Sequence, residues 1–179
     1  VRYQLLLNFC KKYKIKFIMT GHHRDDQIET FLIRLSRGSG IQGLSSMSKM
    51  SDLSNKIKLF RPLLDEKKED LIFLAKNYFG KIFKDPSNND QKYLRTKIRN
   101  LIKRFEKSGI KHDRIINSIN NLASSRDTLN FYIQKIENKC LVKKGNIITI
   151  NLKKFLVENN EIRLKIFSLQ IVKLVLRHV

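Results

Sequence analysis

The sequence predicts an α/β fold in which part of a parallel-sheet domain is followed by a mainly α-helical domain. Two apolar, strand-like runs at residues 15–20 and 57–64 alternate with amphipathic helical segments, which is the order typical of parallel α/β sheets. From residue 111 onward the pattern is helical with one short hairpin. We therefore predict a sheet domain over residues 1–105 and a helical domain over residues 106–179.

The individual elements follow from hydrophobic spacing and from turn residues. Gly38, Gly40 and Gly43 indicate a loop, with Gly38 at the helix C′ position. In chain order we predict the end of a helix at Tyr13, a strand at 15–20, a helix at 28–37, a loop to Asn55, a strand at 57–64, a helix at 66–79, a turn at 85–88, a helix capped by Asp90, a helix at 111–139, a hairpin at 141–150, and helices at 152–156 and 162–176.

Imidazole and carboxylate side chains cluster where the first strand meets the next helix. The cluster comprises His22, His23, Asp25, Asp26 and Glu29, and parallel α/β sheets bind ligands at the carboxyl ends of their strands. The two aspartates would also suit a first helical turn, where the macrodipole favours negative charge. A metal site is a further alternative, although no additional His/Cys cluster supports structural zinc. Chemistry, helix capping and metal binding all remain open for these residues.

The helix that follows the cluster is amphipathic. Its apolar residues recur at i, i+3, i+4 and i+7, which is the spacing of one buried helix face. We predict that face to consist of Ile28, Phe31, Leu32 and Leu35. Asp26 then lies on a different, polar face with Glu29 beside it.

The chain is strongly basic. Its 37 Lys and Arg against 16 Asp and Glu give a net charge of +21, which favours a polyanionic partner such as nucleic acid or an anionic membrane. No apolar run approaches the roughly 20 residues of a membrane span, and no signal peptide pattern is visible. Cys10 and Cys140 form no CxxC pair, so we expect buried thiols. We predict a soluble, cytoplasmic protein without a membrane partner.

A second basic feature lies on the helix after residue 90. Arg95, Arg99, Lys103 and Lys107 recur at i, i+4, and like charges so placed repel by about 0.2–0.5 kcal/mol per pair. An anionic ligand would relieve that repulsion. Phosphate contact and an ordinary solvated face are both consistent with this stripe.

Two sequence blocks carry a family resemblance. The run TGHHRDDQIET at residues 20–30, continued by LSRGSGIQGL at 35–44, resembles the signature of the tRNA(Ile)-lysidine synthase family. A second block, DPSNND at 85–90 with Tyr93, Arg95, Ile98 and Arg99, resembles that family's second motif, except that Thr96 stands where asparagine is usual. The resemblance covers residues 1–105 well. It implies a Rossmann-like sheet domain of the N-type ATP pyrophosphatases.

The resemblance also implies a reaction, the ATP-dependent ligation of free L-lysine to C2 of the wobble cytidine in the CAU anticodon of tRNA(Ile). ATP activates the C2 oxygen, pyrophosphate leaves, and the ε-amine of lysine then displaces AMP. A lysine amine is nucleophilic only when neutral, so a nearby carboxylate can hold the ammonium form and accept its proton. We predict Asp26 for this role, with Glu29 as a supporting carboxylate.

Phosphoryl transfer also requires positive charge. The negative charge that develops on phosphoryl oxygens is stabilised by fixed cations and by Mg²⁺. The candidates on this chain are Arg2, Arg95 and one of the two histidines, His22 or His23, between which spacing does not decide. Arg2 matches an arginine-tyrosine pair that the family carries before its His-His block. The metal ligands are not predicted, although Asp26 could hold Mg²⁺.

We expect tRNA to be bound by the loop that begins at Arg37 and Gly38 and by the basic helix that carries Arg95, Arg99 and Lys103. Contacts with phosphates would supply affinity, and bases splayed from the anticodon loop would be read directly.

One family feature is absent from these residues. ATP pyrophosphatases carry an SGGxDS loop that holds pyrophosphate, and the resemblance implies that it lies upstream of Val1, so we expect this chain alone to be inactive. Two alternatives remain. A tRNA cytidine thiolase of the same superfamily shares the His-His and Asp-Asp block but carries CxxC pairs. A basic RNA-binding module would need no catalytic loop at all.

Overall fold

A computed structural model describes residues 2–54, 56–83, 91–144 and 147–175, apart from the side chains of residues 2, 3, 143 and 171–175. The chain divides into two compact units, Val1–Ala123 and Ser124–Val179. The helices are α1 (Arg2–Lys12), α2 (Arg24–Leu35), α3 (Ile41–Leu44), α4 (Lys68–Phe79), α5 (Leu94–Lys107), α6 (His112–Cys140), α7 (Leu152–Leu156) and α8 (Asn160–Val175). The strands are β1 (Phe17–Met19), β2 (Met50–Ser54), β3 (Ile57–Phe60), β4 (Leu141–Lys144) and β5 (Ile147–Ile150).

The first unit contains a three-stranded sheet in the order β1-β3-β2. The two strands that the sequence predicts, β1 and β3, are parallel, with Met19 opposite Phe60. Strand β2 runs antiparallel to β3 and places Met50 opposite Phe60. The prediction of a loop from Gly38 to Asn55 is therefore wrong, because backbone pairing with β3 forms a strand where the side chains show little apolar alternation.

Helices α2 and α5 pack together with the start of α6. Their shared core consists of isoleucine and leucine side chains, and burying each contributes about 1.5–3 kcal/mol. The buried members are Ile28, Leu32, Ile98, Ile102, Ile115 and Ile119. Leu35 was predicted to join them but is exposed, because it is the last residue of α2. The helical spacing of apolar residues also predicts that Leu94 and Leu101 of α5 are buried, but both side chains are exposed.

Helix α4 exposes its apolar side. The sequence pattern predicts Leu74 and Tyr78 to face inward, yet Tyr78 is 78% exposed and no residue of α4 is buried. That prediction is wrong because, in the described part of the chain, no element covers this face. The predicted turn at residues 85–88 and the predicted cap Asp90 lie outside the described residues. The prediction that Asp90 caps the following helix is wrong, because the N-cap position of α5 is occupied by Tyr93.

The second unit combines a hairpin with helices. Strands β4 and β5 pair antiparallel, which confirms the predicted hairpin, although its turn at residues 145–146 lies outside the described residues. Helix α7 has the predicted bounds. The core is formed by apolar side chains from α6, β4, α7 and α8, namely Ile133, Ile136, Cys140, Leu141, Phe155, Ile162 and Ile166.

Both cysteines are free thiols with buried side chains, as predicted. None of the helices in the described ranges is long and apolar enough to cross a membrane. The boundary that we predict between residues 105 and 106 stays a prediction.

Candidate active site

The predicted cluster lies at the carboxyl ends of β1 and β3. The backbone N–H of Thr20 donates to the carbonyl of Phe60 at 3.0 Å, which extends the parallel pairing by one residue beyond β1. The chain then turns through Gly21 to the two histidines, while β3 is followed directly by Arg61. Because parallel strands end at the same edge, side chains after β1 and after β3 converge.

His22 lies shortly after β1, near this convergence. Its Nδ1 is joined by a hydrogen bond of 2.8 Å to Oγ1 of Thr20. Burial lowers the pKa of His22 most, the positive charges of Arg61 and Arg95 lower it further, and the Asp26 carboxylate opposes them. The imidazole of His22, one carboxylate and two guanidinium groups therefore lie close enough to act on one another electrostatically. The lowered pKa of His22 favours its neutral form.

His23 has a different task at the start of α2. Nδ1 of His23 accepts a hydrogen bond from the backbone N–H of Asp25 at 3.3 Å. The backbone N–H of His23 donates to Oδ2 of Asp26 at 2.9 Å. These two bonds form a capping box, which satisfies N–H groups that the first helical turn leaves open. His23 therefore caps the helix, and its Nε2 also lies 3.5 Å from Oδ2 of Asp26, so the choice of a site histidine stays a prediction.

The two adjacent aspartates face different surroundings. Asp26 is only 8% exposed and acts on His22. Asp25 instead lines a separate polar cavity of about 340 Å³ together with Arg24, Lys111 and other charged side chains. Both aspartates lie in the first turn of α2, as predicted. Of the pair, Asp26 has the position that suits chemistry beside His22.

Asp26 fits Mg²⁺ only as one ligand among several. In the described ranges no three His, Cys, Asp or Glu side chains gather into a group that could enclose a metal ion. Mg²⁺ is commonly held by one or two carboxylates together with substrate phosphates and water. A single aspartate beside cationic side chains matches that donor set rather than the closed site of structural zinc.

Glu29 is buried between two arginines of α5. Its side chain is 3% exposed, and Nε of Arg99 donates to Oε1 at 2.5 Å. Nε of Arg95 lies 3.8 Å from Oε2. The hydrogen bond to Glu29 raises the pKa of Arg99. The repulsion that the sequence predicts along the basic stripe is thus relieved at Arg95 and Arg99 by an internal carboxylate.

The remaining predicted site residues lie on the surface or outside the described side chains. Arg37, Gly38 and Lys103 are exposed. Gly38 has φ +68°, and it follows the cap residue Ser36 by two positions, one beyond the predicted C′ site. The side chain of Arg2 lies outside the described residues.

Arg61 is a candidate that the sequence analysis missed. Its Nη1 donates to the carbonyl of Ser48 at 2.8 Å and to Oγ of Ser51 at 3.1 Å, so its guanidinium is held beside the start of β2. The signal was available in principle, because Arg61 follows the predicted second strand just as the histidines follow the first. Parallel pairing of the two strands places both at one edge.

A separate cavity of about 780 Å³ lies at the opposite edge of the sheet. It is lined by residues at or before the starts of β1 and β3, including Cys10, Lys14, Lys16 and Ile57. Among the described residues, its lining includes no carboxylate or imidazole side chain.

Comparison with known proteins identifies the family of this chain. The family model of the PP-loop domain matches residues 1–105. The chain is 38% identical over 178 residues to the tRNA(Ile)-lysidine synthase of Wolbachia pipientis wMel. The aligned region covers 99% of this chain and 41% of that protein.

Two further proteins named tRNA(Ile)-lysidine synthase have similar sequence identity to this chain. The protein of Wolbachia sp. subsp. Brugia malayi (strain TRS) is 37% identical over 96% of this chain and 40% of its own length. That of Anaplasma marginale (strain St. Maries) is 36% identical over 79% of this chain and 30% of its own length. The chain thus spans about two fifths or less of these relatives. The family model of the PP-loop domain matches more than half of the residues of this chain, and the chain therefore belongs to the PP-loop domain family.

Proposed function

We propose that this chain is part of an ATP-dependent enzyme that attaches free L-lysine to the wobble cytidine in the CAU anticodon of tRNA(Ile), forming lysidine. The observation that carries the proposal is the convergence of His22, Asp26 and Arg95 at the carboxyl edge of a PP-loop sheet. The similarity to proteins named tRNA(Ile)-lysidine synthase supports the same reaction.

The reaction has two chemical steps. In the first, the C2 oxygen of cytidine bonds to the α-phosphorus of ATP, and the bond to pyrophosphate breaks. In the second, the ε-amine of lysine bonds to C2, and AMP leaves with the original oxygen. The amine must lose a proton for this attack, and Asp26 is our candidate to hold the ammonium group and take that proton.

Positive charge beside Asp26 suits the first step. Arg95 is half-exposed at this edge, and a fixed guanidinium stabilises negative charge that grows on phosphoryl oxygens. His22 would contribute as a neutral hydrogen-bonding group, and Arg2 stays a candidate from the family resemblance. Mg²⁺ would neutralise phosphate charge when bound, and Asp26 could supply one of its ligands in the ATP-activating step, before lysine binds.

The tRNA would lie across basic surface near this edge. Arg37 and Gly38 begin the segment after α2, and Lys103 is exposed on α5. We propose phosphate contacts for these positions, and for Arg95. Residues 106–179 would form a mainly helical second domain, and the site of action would be the cytoplasm, where tRNA is modified.

The test is direct. The full-length protein is incubated with ATP, radiolabelled lysine and a tRNA(Ile) transcript that carries the CAU anticodon. We expect label to enter the tRNA only with ATP, with release of AMP and pyrophosphate. A transcript with uridine at the wobble position is the matched control and should stay unlabelled.

Other outcomes favour the alternatives. Binding of tRNA without lysine incorporation would support a non-catalytic RNA-binding module. Incorporation of sulfur would support a cytidine thiolase, although this chain has only two cysteines and no CxxC pair.

A further inference from the structure

Two arginines of α5 share one buried carboxylate, but they use it differently. Arg99 makes the hydrogen bonds to Glu29, from Nε to Oε1 at 2.5 Å and from Nη2 to Oε2 at 3.5 Å. Arg95 approaches the same carboxylate only through Nε at 3.8 Å. The carboxylate thus has one close guanidinium partner and one looser partner.

The two side chains also differ in exposure. The side chain of Arg95 is 51% exposed, whereas that of Arg99 is 30% exposed. A guanidinium carries five N–H donors in a fixed plane, and the 3.8 Å approach of Arg95 Nε to Glu29 is longer than a hydrogen bond. Arg95 also acts on His22. Arg95 is thus the more exposed of the two guanidinium groups and the one that acts on His22.

We infer that Arg99 and Glu29 are positioning residues, which act through Arg95 and hold its guanidinium beside His22 for contact with the phosphates of ATP. The inference rests on the proposed function. Arg99 satisfies the buried carboxylate, so that Arg95 is not drawn fully onto it. Without Arg99, the buried charge of Glu29 would have Arg95 as its remaining close partner among the described residues, and the group meant for the ligand would turn inward.

This role differs from a phosphate contact with RNA, which the sequence pattern suggests for Arg99. A direct RNA contact would release counterions, so its removal would flatten the salt dependence of tRNA binding. A positioning role predicts instead a weaker interaction with ATP and an unchanged salt slope. The two roles therefore give opposite results in two separate measurements.

The experiment uses the full-length protein with Arg95→Met, Arg99→Met, Arg99→Lys and the double variant of Arg95→Met with Arg99→Met. We expect Arg99→Met to raise the KM for ATP about tenfold or more, the size of effect given by loss of a charged hydrogen bond. The double variant should be little worse than Arg95→Met alone, because both changes remove the same contact. Arg99→Lys should recover part of the loss, since lysine can still neutralise Glu29 but lacks the planar fork.

Folding is controlled with a second double variant, Glu29→Gln with Arg99→Met, which removes the buried pair together and leaves neither charge alone. It should unfold at the same denaturant concentration as the wild type or higher, and its KM for ATP should still be raised, because Arg95 has lost its anchor. Losses in the arginine double variant that multiply, or an unchanged KM in Arg99→Met, would overturn the positioning role.

The result is separable from the proposed function. If the wild-type protein binds ATP but attaches no lysine to tRNA, the proposed function fails. Titration with a non-hydrolysable ATP analogue then gives the affinities of the same variants, and the same pattern of non-additive loss is expected.

Discussion

The side chain of Gln27 and the backbone of Met47 bond to each other in both directions. Nε2 of Gln27 donates to the Met47 carbonyl at 2.8 Å, and the Met47 N–H donates to Oε1 of Gln27 at 2.8 Å. Ser46 Oγ adds a bond of 3.0 Å to the Gln27 carbonyl, and Arg34 Nη1 donates to the carbonyls of Gly43 and Ser46 at 2.8 and 2.9 Å. The segment before β2 is thus fastened to α2, whose first turn carries Asp26.

Replacing Gln27 should loosen this segment. We expect Gln27→Ala to lower the free energy of unfolding by about 1–3 kcal/mol, because the Met47 N–H and carbonyl lose their partner in a partly buried place. Denaturant titration measures the loss, and the Met47 amide should exchange its hydrogen faster. Gln4→Ala, on the exposed face of α1, is the control and should change little. Equal stability of the two variants would contradict this account.

Gly43 should not tolerate a side chain. A Cβ at this position would lie 2.6 Å from Cβ of Ser39, which no ordinary contact allows. Gly43→Ala should cost about 1–3 kcal/mol, the range for overpacking, in thermal or denaturant unfolding. Adding Ser39→Gly removes the opposing atom and should recover part of the loss. If Gly43→Ala alone is neutral, the segment is looser than described.

The pKa of His22 should move in opposite directions when its neighbours are changed. The Asp26 carboxylate raises this pKa and the Arg95 charge lowers it, so Asp26→Asn should lower it further and Arg95→Met should raise it. Side-chain NMR during a pH titration measures both shifts. Asp25→Asn is the matched control and should leave the value nearly unchanged. Shifts in one common direction would refute the arrangement.

The same group gives a pH dependence of stability. The pKa of His22 is lowered in the folded chain, so between that value and the unfolded value of about 6.5 the unfolded state binds more protons. Stability should therefore fall as pH drops through this window. His22→Gln should reduce the slope of unfolding free energy against pH there, while above pH 7 the slope should be unchanged.

Asp26→Asn should separate chemistry from binding. Asparagine keeps an oxygen that can accept the His23 N–H, so the helix cap survives, but it cannot take a proton from lysine. We expect lysidine formation to fall at least about 100-fold, the usual minimum for loss of a general base, with tRNA affinity nearly intact. Asp25→Asn serves as control. Retained product formation would reject the role of Asp26.

The proposed RNA surface can be tested by salt dependence. Arg37→Ala and Lys103→Ala should each reduce the slope of log affinity for tRNA against log salt by about one, because each phosphate contact releases about one counterion. Lys11→Ala, on the wall of the cavity at the opposite sheet edge, should have a smaller effect. Equal slopes for all three variants would indicate a diffuse field of charge rather than local contacts.

Local pattern predicts much of the fold but little of the site's internal bonding. The start of α2, the parallel pair β1 and β3, and the hairpin in the second unit follow from periodicity and turn residues. The separate roles of His22 and His23 do not, because a capping bond depends on backbone angles at one residue. The pairing of Glu29 with Arg99 joins two helices across 70 residues, and no local pattern reports such a contact.

Strand β2 and the role of Arg61 show the same limit. Met50–Ser54 has few of the apolar residues that mark a strand, and it becomes one through the hydrogen bonds that β3 supplies. In the sequence, Arg61 has no feature that distinguishes it from other residues before a proline. Its position near the histidines follows from the parallel pairing of β3 with β1. Tertiary context, rather than propensity, decides both cases.

The buried ion pair between α2 and α5 should leave a mark on how this chain varies between species. A mutation that neutralises Arg99 alone leaves the buried Glu29 carboxylate with only the looser contact to Arg95, and an incompletely paired buried charge costs stability. Lineages should therefore keep both residues or exchange both. Covariation of these two positions among related sequences would then reveal a contact between two helices that the sequence of neither helix predicts by itself.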